Sequence, residues 1–140
     1  MCMKKVLVLC TGNSCRSQMA EAYLRFFAKG RAEIFSAGIE VHGVNPKAIA
    51  MMKADGIDIS GHTSNHVDEY RGIVFDYIIT VCDHAQEHCP FVAGPALRLH
   101  QNFPDPSKRM GSEKEIDEAF EETRELIRRY CEAFIKEYIL

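Results

Sequence analysis

The sequence predicts an α/β fold: a parallel sheet covered on both faces, three layers within one domain spanning residues 1–140. Three observations carry this expectation. Short apolar runs alternate with segments of helical periodicity, the pattern of parallel strands joined by crossover helices. The strongest runs, Lys5–Cys10 and Phe75–Val81, are apolar at nearly every position, as strands buried between two layers are. No internal repeat, low-complexity stretch or long polar linker divides the chain.

The elements follow in order. Lys5–Cys10 reads as a buried strand, punctuated by Thr11-Gly12-Asn13. A helix comes next, because Ala20, Tyr23, Leu24 and Phe27 fall at i, i+3, i+4 and i+7, and Gly30 ends it. Glu33–Ala37 is a short strand closed by Gly38. Asn45-Pro46 starts a helix with a cap and a proline at the first helical position. That helix turns Ile49 and Met52 inward and stops near Gly56. Phe75–Val81 is the second strong strand and Ala96–Leu99 a weaker one. Ile116, Phe120, Ile127, Cys131 and Phe134 form the apolar stripe of a long C-terminal helix whose other face is charged. Gly61–Gly72 and Gln101–Ser112 read as loops or short helical turns.

Composition narrows the function. The chain has 140 residues, 46% hydrophobic and 26% charged, as in soluble globular proteins. No apolar run approaches the roughly 20 residues of a membrane span. Val6–Leu9 is too short for a signal-peptide core and no small-residue cleavage site follows it. The expected place is the cytoplasm, with no membrane partner. A net charge of -3 offers no basic field for nucleic acid, so any anion site is local. Six cysteines in a reducing compartment point to catalysis, redox exchange or metal binding rather than a disulfide framework.

The strongest motif is Cys10-Thr11-Gly12-Asn13-Ser14-Cys15-Arg16-Ser17, a cysteine and an arginine separated by five residues between a strand and a helix. A tight loop there turns backbone N–H groups inward as an anion-binding nest, and the helix adds its positive N-terminal end. Gly12 and Asn13 tolerate the positive φ of such a turn. Arg16 can grip two oxygens of a tetrahedral anion. Cys10 lies at the floor of the nest, where that field should lower its pKa below the free value of about 8.5. Ser17 is placed to donate a hydrogen bond to the thiolate. The alternative is a buried strand-end cysteine and a surface arginine.

These residues resemble the low-molecular-weight protein tyrosine phosphatase family and its thioredoxin-coupled arsenate-reductase branch. The resemblance implies a four-stranded parallel sheet with flanking helices and the loop at the topological switch point. It also implies that Asp105, in Asp105-Pro106, is the general acid that protonates the leaving oxygen; taken alone, Pro104-Asp105-Pro106 is equally a plain turn. Cys82-Asp83-His84-Ala85-Gln86-Glu87-His88-Cys89-Pro90, directly after the second strong strand, resembles the redox segment of that branch. Parallel strands end on one shared edge, about 4.8 Å apart, so Cys82 should lie beside Cys10.

The implied reaction is reduction of arsenate through Cys10, Cys82 and Cys89, with phosphate or sulfate as competing anions and thioredoxin as reductant. No metal or organic cofactor is required. The same loop supports a tyrosine phosphatase that uses Cys10, Arg16 and Asp105 alone. Cys82 and Cys89 could also be inert buried thiols, or bind zinc with His84 and His88 in a spacing unlike the usual zinc patterns. Members of this branch bind potassium with residues matching Asn13, Glu21, Ser36 and an aspartate; Asn65 stands at the last position here, against a potassium site. A helix from Cys82 to Cys89 would separate their α-carbons by roughly 10.5 Å, beyond the 7 Å or so that a disulfide tolerates. The relay therefore calls for unwinding.

Overall fold

A computed structural model of the chain describes residues 3–87 and 95–140. Strands β1 (Lys4–Cys10), β2 (Ala32–Gly38), β3 (Tyr77–Thr80) and β4 (Leu97–His100) form one sheet in the order β2-β1-β3-β4. All three pairings are parallel, with Val8 opposite Ser36 on one side and Ile79 on the other. The helices are α1 (Arg16–Ala28), α2 (Pro46–Ala54), α3 (Asp83–Glu87) and α4 (Glu113–Tyr138).

The central strand β1 is the most apolar one, and Val6, Leu7, Val8 and Leu9 are fully buried. Alternate residues enter different layers. Val6, Val8 and Ile79 join the larger core beneath α1, α2 and α4. Leu7, Leu9, Ile78 and Phe75 join a smaller one with Val67, under the 3-10 turn Val67–Tyr70. Helical cover is thus unequal between the faces. Strand β3 is shorter than the apolar run that announced it. Asp76 accepts from the Lys5 backbone N–H at 2.8 Å, and Phe75 packs edge-on against Phe35 in the smaller core. Strand β4 is the weaker signal because it is an edge, with Leu97 and Arg98 exposed.

Local chemistry sets the helix ends. Lys29 (φ 51°) and Gly30 (φ 80°) stop α1 in left-handed conformations. The Asn45 side chain accepts from Lys47 N at 2.8 Å, capping α2 before Pro46, and the helix buries Ala48 and Met52 while Ile49 is half-buried. Ser112 and Glu115 form a reciprocal capping box on α4, a motif that contributes about 1 kcal/mol. The α4 stripe buries Phe120, Ile127, Cys131 and Phe134 as expected, with Ile116 half-buried at its start. Among the described residues no helix is long and apolar enough to cross a membrane.

The chain leaves β1 for β2 on one side and later returns to β3 on the other. The C-terminal end of β1 is therefore the switch point, where an open parallel sheet leaves a crevice.

Candidate active site

Residues 11–15 connect β1 to α1 across that crevice. Every carbonyl of the loop is occupied from outside. Thr11, Gly12 and Ser14 accept from the backbone N–H groups of Glu40, His42 and Asn45 at 2.9, 3.0 and 3.0 Å. Asn13 accepts from Gln18 Nε2 at 3.0 Å and Cys15 from Met19 N at 3.0 Å. With the carbonyls tied outward, the peptide planes turn their N–H groups the other way, and a nest results. The expected positive φ is found at Asn13 (φ 48°) but not at Gly12. Gly12 is needed for space instead: a Cβ there would lie 2.3 Å from His42 Nδ1.

The loop walls a cavity of about 580 Å3. Cys10, Thr11, Gly12, Ser14, Cys15 and Arg16 line it from below, and Cys82, Asp105 and Ser107 from the side. Arg16 donates from Nη1 to the Phe103 carbonyl at 3.0 Å, and its Nη2 lies 3.5 Å from Asp105 Oδ2. Asp105 Oδ1 accepts from Ser107 Oγ at 2.6 Å and Ser107 N at 3.0 Å, which leaves Oδ2 facing Arg16.

The charge on the thiols differs from the sequence expectation. The field of the loop was expected to hold Cys10 as the thiolate. In the structure Cys82 lines the same cavity as Cys10, and a hydrogen bond between the two thiols acts on them in opposite directions. That bond and burial push the Cys10 thiol up, against the lowering effect of Arg16 and the Thr11 N–H. Cys82 is held down at about 5 by the bond from Cys10, then by the Thr11 hydroxyl, the Ala85 N–H and Arg16. Thr11 Oγ1 lies 3.3 Å and Ala85 N 3.4 Å from Cys82 Sγ. Burial raises Cys15 to about 12, consistent with a packing role. Cys131 is buried on the α4 stripe and pushed up as well. The Ser17 Oγ accepts from Asn13 Nδ2 at 2.8 Å. Cys89 and His88 lie outside the described residues.

The sequence pattern of the low molecular weight phosphotyrosine protein phosphatases matches residues 5–138. The chain belongs to that family. Within this phosphatase family its relatives include an arsenate reductase of Halalkalibacterium halodurans, 41% identical over 131 residues and 94% of each chain. A solved arsenate reductase in its oxidized state superimposes with a TM-score of 0.83 at 31% identity, covering 96% of this chain and 98% of the other. Another, in the phosphate-binding state, gives 0.79 at 32% identity over 99% and 100%.

Behind the phosphatase-family loop lies a buried polar cluster. Asn13 Nδ2 donates to Ser36 Oγ at 3.0 Å, and Ser36 Oγ donates to Glu21 Oε1 at 2.6 Å. Glu21 Oε2 pairs with Arg25 at 3.1 Å, with His62 Nδ1 at 3.6 Å. Asn65 donates its backbone N–H to Asn13 Oδ1, whereas its side chain bonds Glu69 and Thr63. This donor set does not fit potassium: an arginine already holds the free oxygen of Glu21, and the Asn65 amide points elsewhere. Among the described residues no group of three or more His, Cys, Asp and Glu side chains is arranged to hold a metal.

Several contributors had no sequence signal. Ser107 and the Glu40–His42 pair at 2.7 Å line the cavity from distant positions, and the Phe103 carbonyl holds Arg16 beside it. Their places depend on the crossover connections.

Proposed function

We propose that this protein is an arsenate reductase that works through a cytoplasmic thiol relay. The observation that carries the reading is the Cys82 thiol in the same cavity as Cys10, beside the anion loop, with Thr11 Oγ1 3.3 Å from its sulfur. Hydrolysis of a phosphate ester does not require a second thiol there; a thiol relay does.

Arsenate enters the nest and Arg16 swings from the Phe103 carbonyl onto its oxygens. The Cys10 proton passes along the shared bond to Cys82. Cys10 thiolate attacks arsenic, and Asp105 protonates the oxygen that leaves as water. Cys82 sulfur then attacks Cys10 sulfur. The S–As bond breaks, its electron pair stays on arsenic, the thiol proton goes to an arsenic-bound oxygen, and arsenite departs. Two thiols have been oxidised and arsenic reduced by two electrons. Cys89 next attacks Cys82 and frees Cys10, leaving a Cys82–Cys89 disulfide for thioredoxin to reduce by ordinary exchange. Phosphate and sulfate compete because they share the tetrahedral shape and charge.

The test is arsenate-dependent NADPH oxidation with thioredoxin and thioredoxin reductase. Turnover that is lost in Cys10→Ser and Cys82→Ser is expected. Strong aryl-phosphatase activity in Cys82→Ser, with no arsenate turnover in the unaltered protein, would assign a phosphatase instead.

A further inference from the structure

Cys82 has two duties in this mechanism, and they conflict. It must stay beside Cys10 while arsenite leaves, yet the segment after it must loosen for Cys89 to arrive. Something has to hold the near end of that segment. Asp83 is the first residue of α3 and follows Cys82 directly. Its Oδ1 lies 2.7 Å from His100 Nε2. His100 Nδ1 lies 2.7 Å from the Thr80 hydroxyl, at the buried end of β3. Thr80 and His100 are register partners, so the imidazole spans two adjacent strands and the start of α3. Asn102 Oδ1 accepts from the Asp83 N–H at 3.0 Å and adds a second tie.

The chemistry of the bridge is consistent at both ends. A neutral ring that donates from Nε2 to the carboxylate accepts at Nδ1 from the Thr80 O–H. A protonated ring donates at both nitrogens, and the Thr80 O–H turns to the Leu99 carbonyl 3.4 Å away. No donor or acceptor is stranded in either form. The Thr80 side is buried, and His100 is mostly shielded with its side chain 22% exposed.

We propose that His100 is a positioning residue: through Asp83 it pins Cys82 against Cys10, so that unwinding of the redox segment begins only beyond Asp83. The proposal rests on the relay reading of the site.

The experiment uses the Cys89→Ser parent, in which the relay stops at the Cys10–Cys82 disulfide after one arsenite. In that background, His100→Ala and Asp83→Ala should each slow single-turnover arsenite release by about tenfold, the effect of losing one hydrogen bond to a charged group. The double variant should be no slower than either single one, because both remove the same bond. Asp83→Asn, which keeps an acceptor for Nε2–H, should recover most of the rate. Phosphate protection of Cys10 against alkylation should be unchanged in all of them, a result that general damage to the fold would not give. Asp83 is 67% exposed, so Asp83→Ala stands in should His100→Ala not fold. Rates equal to the parent, additive losses, or weakened phosphate protection in step with the rate would overturn the anchor. A parent that releases no arsenite at all would instead sink the relay, and the anchor with it.

Discussion

Two thiols and one proton set the chemistry of the cavity floor. Cys10 is raised by its bond to Cys82 and by burial, and Cys82 is lowered chiefly by that same bond. The pair should therefore lose its thiolate absorbance as pH falls through about 5, where Cys82 takes up a proton. Removing either partner separates the two effects. In Cys10→Ala the bond to Cys82 is gone, so the Cys82 midpoint should move up. In Cys82→Ser, Cys10 loses its largest raising cause and keeps Arg16, so its midpoint should move down. Opposite shifts, or none, would show that the thiols do not share a proton. Asp105 offers a second check. With Oδ1 saturated by Ser107, only Oδ2 is left to carry a proton toward the anion. Asp105→Asn should lower single-turnover arsenite release by roughly 10²–10⁴-fold, the range for loss of a general acid, while phosphate still protects Cys10. A rate within threefold or so of the parent would remove Asp105 from the reaction. The residue types of this chemistry were legible from Cys10, Arg16 and Asp105. The location of the charge was not, since Thr11 and Cys82 are 71 positions apart and meet only across the sheet.

At the scale of elements, α3 is the weak one. Its first residue, Asp83, is held through the His100 ring and the Asn102 side chain. Of its side chains only Ala85 is buried. The neighbouring β3 is different: Ile78 and Ile79 are buried and both its edges are paired. Oxidation to the Cys82–Cys89 disulfide should therefore raise amide exchange at residues 84–87 while residues 78–80 remain protected. Equal exchange in the two redox forms would mean that Cys89 reaches Cys82 without unwinding. Sequence periodicity recovered the long elements well, because α4 and β1 each repeat one pattern over many residues. It overextended β3, since Phe75 is apolar for the sake of the smaller core rather than for pairing. The segments read as loops or short helical turns hold the 3-10 turns Val67–Tyr70 and Pro106–Lys108, whose bounds were not legible because three or four residues show no period.

For the molecule as a whole, the loop is held in shape by contacts from β2, α1 and the segment around residue 65. Arg25 occupies the charge of Glu21 that would otherwise invite a cation. Replacing sodium by potassium at constant ionic strength should leave both the melting temperature and arsenate turnover unchanged; specific stabilisation by potassium would show that Arg25 yields its place. The sequence by itself determined the alternating architecture, the loop after β1 and the Cys10 and Arg16 that bound it. These depend on local periodicity, turn chemistry and the spacing within one short segment. Only the tertiary structure decided which groups surround the two thiols and which side chains meet at the start of α3. Thr11 reaches Cys82 and His100 reaches Asp83 because parallel strands bring their C-terminal ends to a common edge. Hydrogen bonding and desolvation at that edge depend on distances of a few ångströms between residues far apart in the chain, and no local pattern records them.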